Sequence, residues 1–306
     1  MKKFADISLL LVTLVWGTTF VLVQNAIGSL QPFSFNGIRF FSAAILLILW
    51  LVFFERKQLK KVDKKLIQSG VILGFWLFLG YATQTIGLLY TTSSKAGFIT
   101  GLSVVLVPLF SMILFKQTLS KNAILGVLIA TIGLFLLTTT DLTALNIGDA
   151  FVFICAIAFA MQIIVTGKYS DKYPTLLLTI IQISTVSILS IISSFLFEDW
   201  KTMINPSILF SKDVFMAILV TSIFATALAF LVQTNFQKYT TTTRVALIFA
   251  MEPVFAAITG YFWAHDRLTY SALFGCLLIF LGMIFAELPT EKLSLFEKGE
   301  IKNNSL

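Results

Sequence analysis

One acidic residue, Glu252, lies deep inside an apolar stretch, eight residues after Arg244 in a run that ends near Trp263. A helix rises roughly 1.5 Å per residue, so a helix over this run places the carboxyl group of Glu252 near the midplane of a bilayer. An ionisable group at that depth is costly and by default faces protein or a watery cavity. Pro253 follows and frees a carbonyl group one turn earlier. The sequence predicts either a cavity-lining, proton-exchanging carboxyl group beside a kink or a packing residue bonded permanently to a facing helix.

Other polar groups lie at comparable depth in apolar runs. Arg39 lies six residues inside one run. It can either snorkel to the interface or line a cavity. Intramembrane amides either join helices through hydrogen bonds or contact a ligand. The amides of this kind are Gln84, Gln162, Gln182 and Gln233.

Aromatic residues accompany these polar groups. Trp16 lies in the sequence WGTTF, followed by Gly17 and two threonines, and Tyr81 is also well inside an apolar run. Trp16 and Thr19 are candidates for the wall of a cavity, and a buried packing role is the alternative for the tryptophan. A cavity with aromatic walls and a few amides suits a neutral or zwitterionic molecule.

The elements that position these residues are membrane spans. The chain is 58% hydrophobic and 12% charged, with a mean hydropathy of +0.93. A soluble domain carries roughly 25% charged residues. The two cysteines, Cys155 and Cys276, lie in apolar runs, and two thiols with a single histidine argue against a metal site or a disulfide framework. We therefore predict a lipid-embedded, all-α chain without a cofactor.

Ten apolar runs approach the roughly 20 residues that cross a bilayer. They cover about residues 6–27, 33–54, 66–89, 95–115, 122–137, 149–167, 174–197, 213–235, 244–263 and 269–287. With a cytoplasmic N-terminus, seventeen lysines and arginines fall inside and four outside. This asymmetry orients the chain and places both termini in the cytoplasm. It also explains the net charge of +7 without a nucleic-acid partner.

The second half of the chain repeats the first after a shift of 149 positions. The matched pairs are Tyr90 and Tyr239, Lys95 and Arg244, Leu119 and Leu268, Gly126 and Gly275, and Gly133 and Gly282. We predict one repeat in residues 1–140, a second in 147–288 and a polar tail in 289–306. Five spans in each copy force opposite orientations, which is the plan of many secondary transporters.

Prolines and glycines indicate where these helices bend or approach closely. Pro108 lies in the fourth span, one turn away from the position that matches Pro253. Gly126 and Gly133, like Gly275 and Gly282, are two helical turns apart and share one face. We expect this face to allow close packing in the last span of each copy.

The ordered motifs resemble the EamA-type members of the drug/metabolite transporter superfamily. The resemblance lies in WGTTF, in the segment from Tyr90 through Lys95 to Pro108, and in EPVFAAITGYFWAHDRLT of the second copy. It implies ten helices around a central cavity built by the first four spans of each copy, with the fifth and tenth supporting the fold or forming a dimer contact. Family members often carry an acidic residue two positions before the leucine that opens the last span of a copy. Here Asp266 stands in that place, but Gln117 replaces it in the first copy.

The resemblance further implies export or exchange of small metabolites, amino acids among them, across the cytoplasmic membrane. No phosphate-cradling glycine-rich loop is present, so ATP drive is not expected. The partners we expect are a small-molecule substrate, the lipid bilayer and, as an option, a second copy of the chain. The alternatives are a membrane-embedded enzyme that uses His265 beside Asp266, and a non-transporting membrane sensor.

Overall fold

The computed structural model describes residues 2–116, 119–138, 146–263 and 269–287, and the regular elements in these ranges are all helical. Within these ranges, eight helices are long and apolar enough to cross a membrane, and two further apolar helices are shorter. The all-helical, ten-span membrane architecture predicted from the sequence is confirmed. Gln117, His265, Asp266, Leu268 and the tail from residue 289 lie outside the described residues.

The ten spans are numbered here α1 to α10 in chain order, and two of them are divided. The first five are α1 (Lys2–Ile27), α2 (Pro32–Phe54), α3 (Lys64–Gly87), α4a (Ser93–Gly101) with α4b (Ser103–Phe115), and α5 (Lys121–Thr138). The second five are α6 (Ile147–Tyr169), α7 (Thr175–Phe197), α8 (Lys212–Gln237), α9a (Thr242–Phe249) with α9b (Glu252–Trp263), and α10 (Tyr270–Glu287). Short helical turns connect α2 to α3 and α7 to α8.

The fourth span of each half is broken at matching positions of the duplication. Leu102 separates α4a from α4b, and Met251, 149 positions later, lies in the break between α9a and α9b. At both breaks a backbone N–H bonds to a carbonyl three residues earlier, as in a tight 3₁₀ turn. Pro253 is the second residue of α9b, next to the second break, whereas Pro108 lies well inside α4b, beyond the first break. The first copy therefore bends without a proline at the bend.

The two halves pack around an approximate two-fold axis. Helix α2 packs against its counterpart α7, and α5 packs against its counterpart α10. The contact of α3 with α6 corresponds to the contact of α1 with α8. In the α5–α10 pair, Gly126 lies against Gly282 and Gly133 against Gly275, so the two helices run antiparallel. Counterpart helices that run antiparallel mean that the two halves are inverted relative to each other.

Four glycines allow the backbones of α5 and α10 to touch. A Cβ atom on Gly126 would lie 2.5 Å from the carbonyl oxygen of Gly282, and one on Gly133 would lie 2.6 Å from that of Gly275. A Cβ atom on Gly275 or Gly282 would likewise clash with the backbone oxygen of the glycine that faces it. This glycine face is therefore occupied within one chain. The resemblance left open whether the fifth and tenth spans support the fold or form a dimer contact. A homodimer through these spans would have to use other faces of the two helices.

An ion pair joins the two halves at each end of the bundle. At one end, Lys95 at the start of α4a lies 2.6 Å from Asp149 of α6, and both side chains are buried, with exposed fractions of 3% and 5%. At the other, Arg244 of α9a pairs with Asp6 of α1, with exposed fractions of 26% and 14%. A cation at a helix N-terminus opposes the helix dipole. The carboxylates of Asp149 and Asp6 compensate for this unfavourable interaction between each cation and its helix dipole.

We expect Lys95→Gln to destabilise the protein more than Arg244→Gln. The first substitution leaves the Asp149 carboxylate buried without its cation, at a cost of about 3–5 kcal/mol. The Arg244 pair is partly exposed, so its loss is screened and costs less. Thermal unfolding in detergent measures both changes. A Lys95→Gln variant of unchanged stability but altered substrate selectivity would contradict this structural role.

Candidate functional site

A cavity lies between the two halves and encloses about 860 Å³ of atom-free space, its mouth included. Helix α1 contributes Trp16 and Thr19, α2 contributes Arg39, and α3 contributes Tyr81 and Gln84. The other half adds Gln162 from α6 and Glu252 from α9b. Most of the residues that the sequence singled out at membrane depth therefore meet around one space.

Two of the predicted residues lie elsewhere. Gln182 is fully buried on α7 against α3, and within the described ranges neither its amide nitrogen nor its amide oxygen has a hydrogen-bond partner. Gln233 lies one layer behind the cavity wall. Its Nε2 atom donates to Oε1 of Gln162 at 3.1 Å and to Oε1 of Gln237 at 3.3 Å. Gln233 thus supports a wall residue instead of facing the cavity itself.

The guanidinium group of Arg39 is buried and does not extend to the membrane interface; only 3% of the residue is exposed. Its Nε atom donates to Oγ1 of Thr226 at 2.7 Å, and Nη2 donates to the carbonyl oxygen of Ala225 at 3.3 Å. The ring of Tyr81 lies below it, with the guanidinium carbon 4.8 Å from the ring centroid. The part of the chain that the structure describes contains two ion pairs, and neither of them includes Arg39. Arg39 is thus a buried cation at the cavity wall without a described counter-ion.

Helix α8 changes its winding where Arg39 binds. Residues Thr221–Leu228 form a π-helix, a rare form that often occurs at functional sites. The carbonyl oxygen of Ala225 in this segment accepts two side-chain N–H groups, one from Arg39 and one from Nε1 of Trp16 at 2.8 Å. The sequence does not reveal this segment, because TSIFATAL contains neither glycine nor proline to indicate an irregular helix.

Glu252 is the first residue of α9b and lines the cavity with a partly exposed side chain. No hydrogen bond or ion pair to its carboxyl group occurs within the described ranges. Its position at the beginning of a helix is favourable for a negative charge. The backbone behind it is tightly packed, since a Cβ atom on Gly17 of α1 would lie 2.6 Å from the Glu252 carbonyl oxygen. The carboxyl group therefore sits on a rigid backbone and is available to the cavity.

Aromatic rings form much of the remaining wall. Trp16 contacts Phe230 and Phe249, with ring centroids 5.4 and 5.0 Å apart. Tyr81 contacts Phe159 at 5.3 Å in an edge-to-face arrangement. Such rings provide apolar surface and can also attract a ligand cation.

The cavity wall also contains polar residues that the sequence pattern did not single out, namely Thr85, Thr100 and Ser103. Thr100 accepts a hydrogen bond from Gln84 at 3.4 Å. Ser103 precedes Glu252 by 149 positions, and each begins the second half of a broken helix. Comparison of the two copies at the position of Glu252 would have identified this serine.

The two inverted halves each match the same known family. The sequence profile of the EamA-like transporter family matches residues 3–139 and again residues 146–287. The chain belongs to the EamA-like transporter family. It is accordingly a multi-pass membrane transporter of the drug/metabolite transporter superfamily, and both EamA halves contribute to the cavity described above.

Relatives match this EamA-like chain over nearly its whole length. An uncharacterized transporter of Archaeoglobus fulgidus is 34% identical over 287 residues, which cover 94% of this chain and 87% of the relative. The uncharacterized transporter YoaV of Bacillus subtilis is 23% identical over 278 residues, which cover 89% of this chain and 92% of YoaV. A solved crystal structure superimposes with a TM-score of 0.75 at 18% identity, covering 94% of this chain and 97% of the other. At that identity the structural likeness shows the fold alone.

Proposed function

We propose that this EamA-like protein is a secondary transporter that exports small metabolites such as amino acids across the cytoplasmic membrane by alternating access. The proposal also includes coupling to a proton through Glu252. The observation that carries it is the cavity between the inverted halves, which holds the Glu252 carboxyl group and the buried Arg39 guanidinium group.

The chemistry of the cavity favours a zwitterion. Arg39 is suited to a carboxylate because its planar group offers several N–H donors in a fixed fork. The aromatic faces near Glu252 are suited to an ammonium group. The rings of Trp16, Phe230 and Phe249 are suited to an apolar side chain. An amino acid with a large apolar side chain combines all three features.

Alternating access is supported by the symmetry of the ion pairs at the two ends. Lys95 with Asp149 and Arg244 with Asp6 hold equivalent helices of the two halves together at opposite ends. The charge asymmetry of the sequence supports a cytoplasmic position for both termini and for the Arg244 pair. In this orientation the two halves can exchange roles as the cavity opens first to one side and then to the other.

Counterflow in proteoliposomes tests the transport function. Vesicles are loaded with one unlabelled compound, and uptake of its labelled form is followed for amino acids, nucleosides, amines and dyes in parallel. We expect exchange of amino acids with large apolar side chains, because these combine a carboxylate for Arg39 with an ammonium group and an apolar side chain for the aromatic wall. Protein-free vesicles are the control. A panel in which no compound exchanges above this control would contradict the proposal.

A further inference from the structure

Arg39 is a buried cation whose described contacts satisfy only part of its capacity. The guanidinium group has five N–H donors. Two of them meet neutral oxygens, Oγ1 of Thr226 and the carbonyl oxygen of Ala225. A buried charge is costly unless an opposite charge compensates it. The group lines the cavity, so an anion that enters there can supply the missing charge.

The two oxygens that hold Arg39 both belong to the π segment of α8. The same segment contains Ser222, which is buried and whose hydroxyl group has no hydrogen-bond partner within the described residues. The matching stretch of the first copy, 149 positions earlier at residues 72–79, lies inside the uninterrupted α-helix Lys64–Gly87. Of these two matching stretches, only the one in the second copy has π winding, and it is this stretch that accepts hydrogen bonds from Arg39.

The π segment also connects Arg39 with the cavity's other charged group. Trp16 of α1 donates to the same carbonyl oxygen of Ala225. The next residue, Gly17, packs directly against the backbone of Glu252. Two adjacent residues of α1 thus connect the backbone at Ala225 with the start of α9b.

We propose that the carboxylate of the transported molecule binds Arg39 in exchange for Thr226 and Ala225, and that this exchange releases residues 221–228 from their π winding. The proposal rests on the transport function proposed above and names the chemical group that the cavity recognises. The released segment returns to α winding, which rotates one part of α8 against the other and moves Trp16. Carboxylate binding at Arg39 is thereby linked to the position of Glu252.

Hydrogen exchange of the purified full-length protein measures the release directly. The probes are phenylalanine, phenylacetate without the amine, phenethylamine without the carboxylate, and chloride as a simple anion. We expect phenylalanine and phenylacetate to change the exchange rates within residues 221–228 by about tenfold, and phenethylamine and chloride to leave them unchanged. An equal response to chloride would overturn the carboxylate assignment, and no response to either carboxylate would overturn the proposal.

Substitutions separate recognition from release. Arg39→Gln should bind phenylalanine and phenethylamine equally, whereas Gln182→Leu, also at membrane depth but outside the cavity wall, should retain the wild-type preference. Thr226→Val removes a competing acceptor without removing the cation, so it should bind phenylacetate about fivefold more tightly. If Arg39→Gln does not fold, the Thr226→Val measurement decides the question, and weaker or unchanged binding would refute the exchange.

These measurements are independent of the transport assay. If the protein responds to phenylacetate at residues 221–228 but exchanges no compound in vesicles, the carboxylate site is supported and the proposed transport function is refuted. If the protein exchanges amino acids without any response at this segment, transport is supported and the release of the π winding is refuted.

Discussion

Replacing Glu252 by glutamine is expected to abolish proton-driven accumulation of substrate while sparing substrate exchange. Glutamine preserves the size of the side chain and its capacity for hydrogen bonds but cannot exchange a proton. The carboxyl group lies at the cavity wall, and the described residues provide no partner that would hold it in one protonation state. Only the step that requires proton release or uptake should therefore fail.

Accumulation and counterflow are measured in the same vesicles. With one proton exchanged per substrate, a gradient of one pH unit sustains roughly tenfold accumulation, equivalent to about 1.4 kcal/mol. We expect Glu252→Gln to reduce this ratio to about one, with counterflow close to the wild-type rate. Glu55→Gln, at the exposed end of α2, is the matched control and should leave both measurements unchanged. If Glu252→Gln leaves both unchanged too, the residue has a structural role.

The positions of the helices could be predicted from the sequence because the bilayer fixes the length of an apolar span. The predicted end of the second span at residue 54 agrees with the structure, and its predicted start at residue 33 lies one residue from the observed start at Pro32. The inverted relation followed from an odd number of spans in each copy. These properties depend on composition and length, which single-sequence reasoning captures well.

The site could be predicted only in part. A polar residue inside an apolar span indicates that it faces protein or water, but it does not indicate which neighbour it faces. Gln84 and Gln182 are both amides at membrane depth, yet Gln84 lines the cavity and Gln182 lies between α7 and α3. The direction of a side chain depends on how its helix is rotated within the bundle.

The π segment illustrates a feature that the local sequence does not encode. Its residues are compatible with an ordinary α-helix, and the residues bonded to it come from α1 and α2. Arg39 was equally compatible with a position at the membrane interface. The contact between Arg39 and Thr226 joins positions 187 residues apart in the chain, so only the tertiary structure reveals it.

A large loss of stability is expected from Gly133→Val in the contact between α5 and α10. A Cβ atom at this position would lie 2.6 Å from the carbonyl oxygen of Gly275 and 2.7 Å from the backbone nitrogen of Ile279. Backbone atoms cannot rotate away as a flexible side chain can, so the two helices must separate. Overpacking typically costs about 1–3 kcal/mol, and the added methyl groups of valine make a loss at or above the upper end expected here.

A matched substitution, Gly97→Ala, tests whether the cause is the close approach of the helices. A Cβ atom on Gly97 meets only the Cβ atom of Pro253, at an ordinary distance of 3.6 Å. Alanine is favoured over glycine in a helix by about 0.5–1 kcal/mol, so this variant should be at least as stable as the wild type. Thermal unfolding and light scattering are measured together. We expect Gly133→Val to unfold at a lower temperature, whereas a dimer contact at this glycine would instead yield a stable protein of smaller assembled mass.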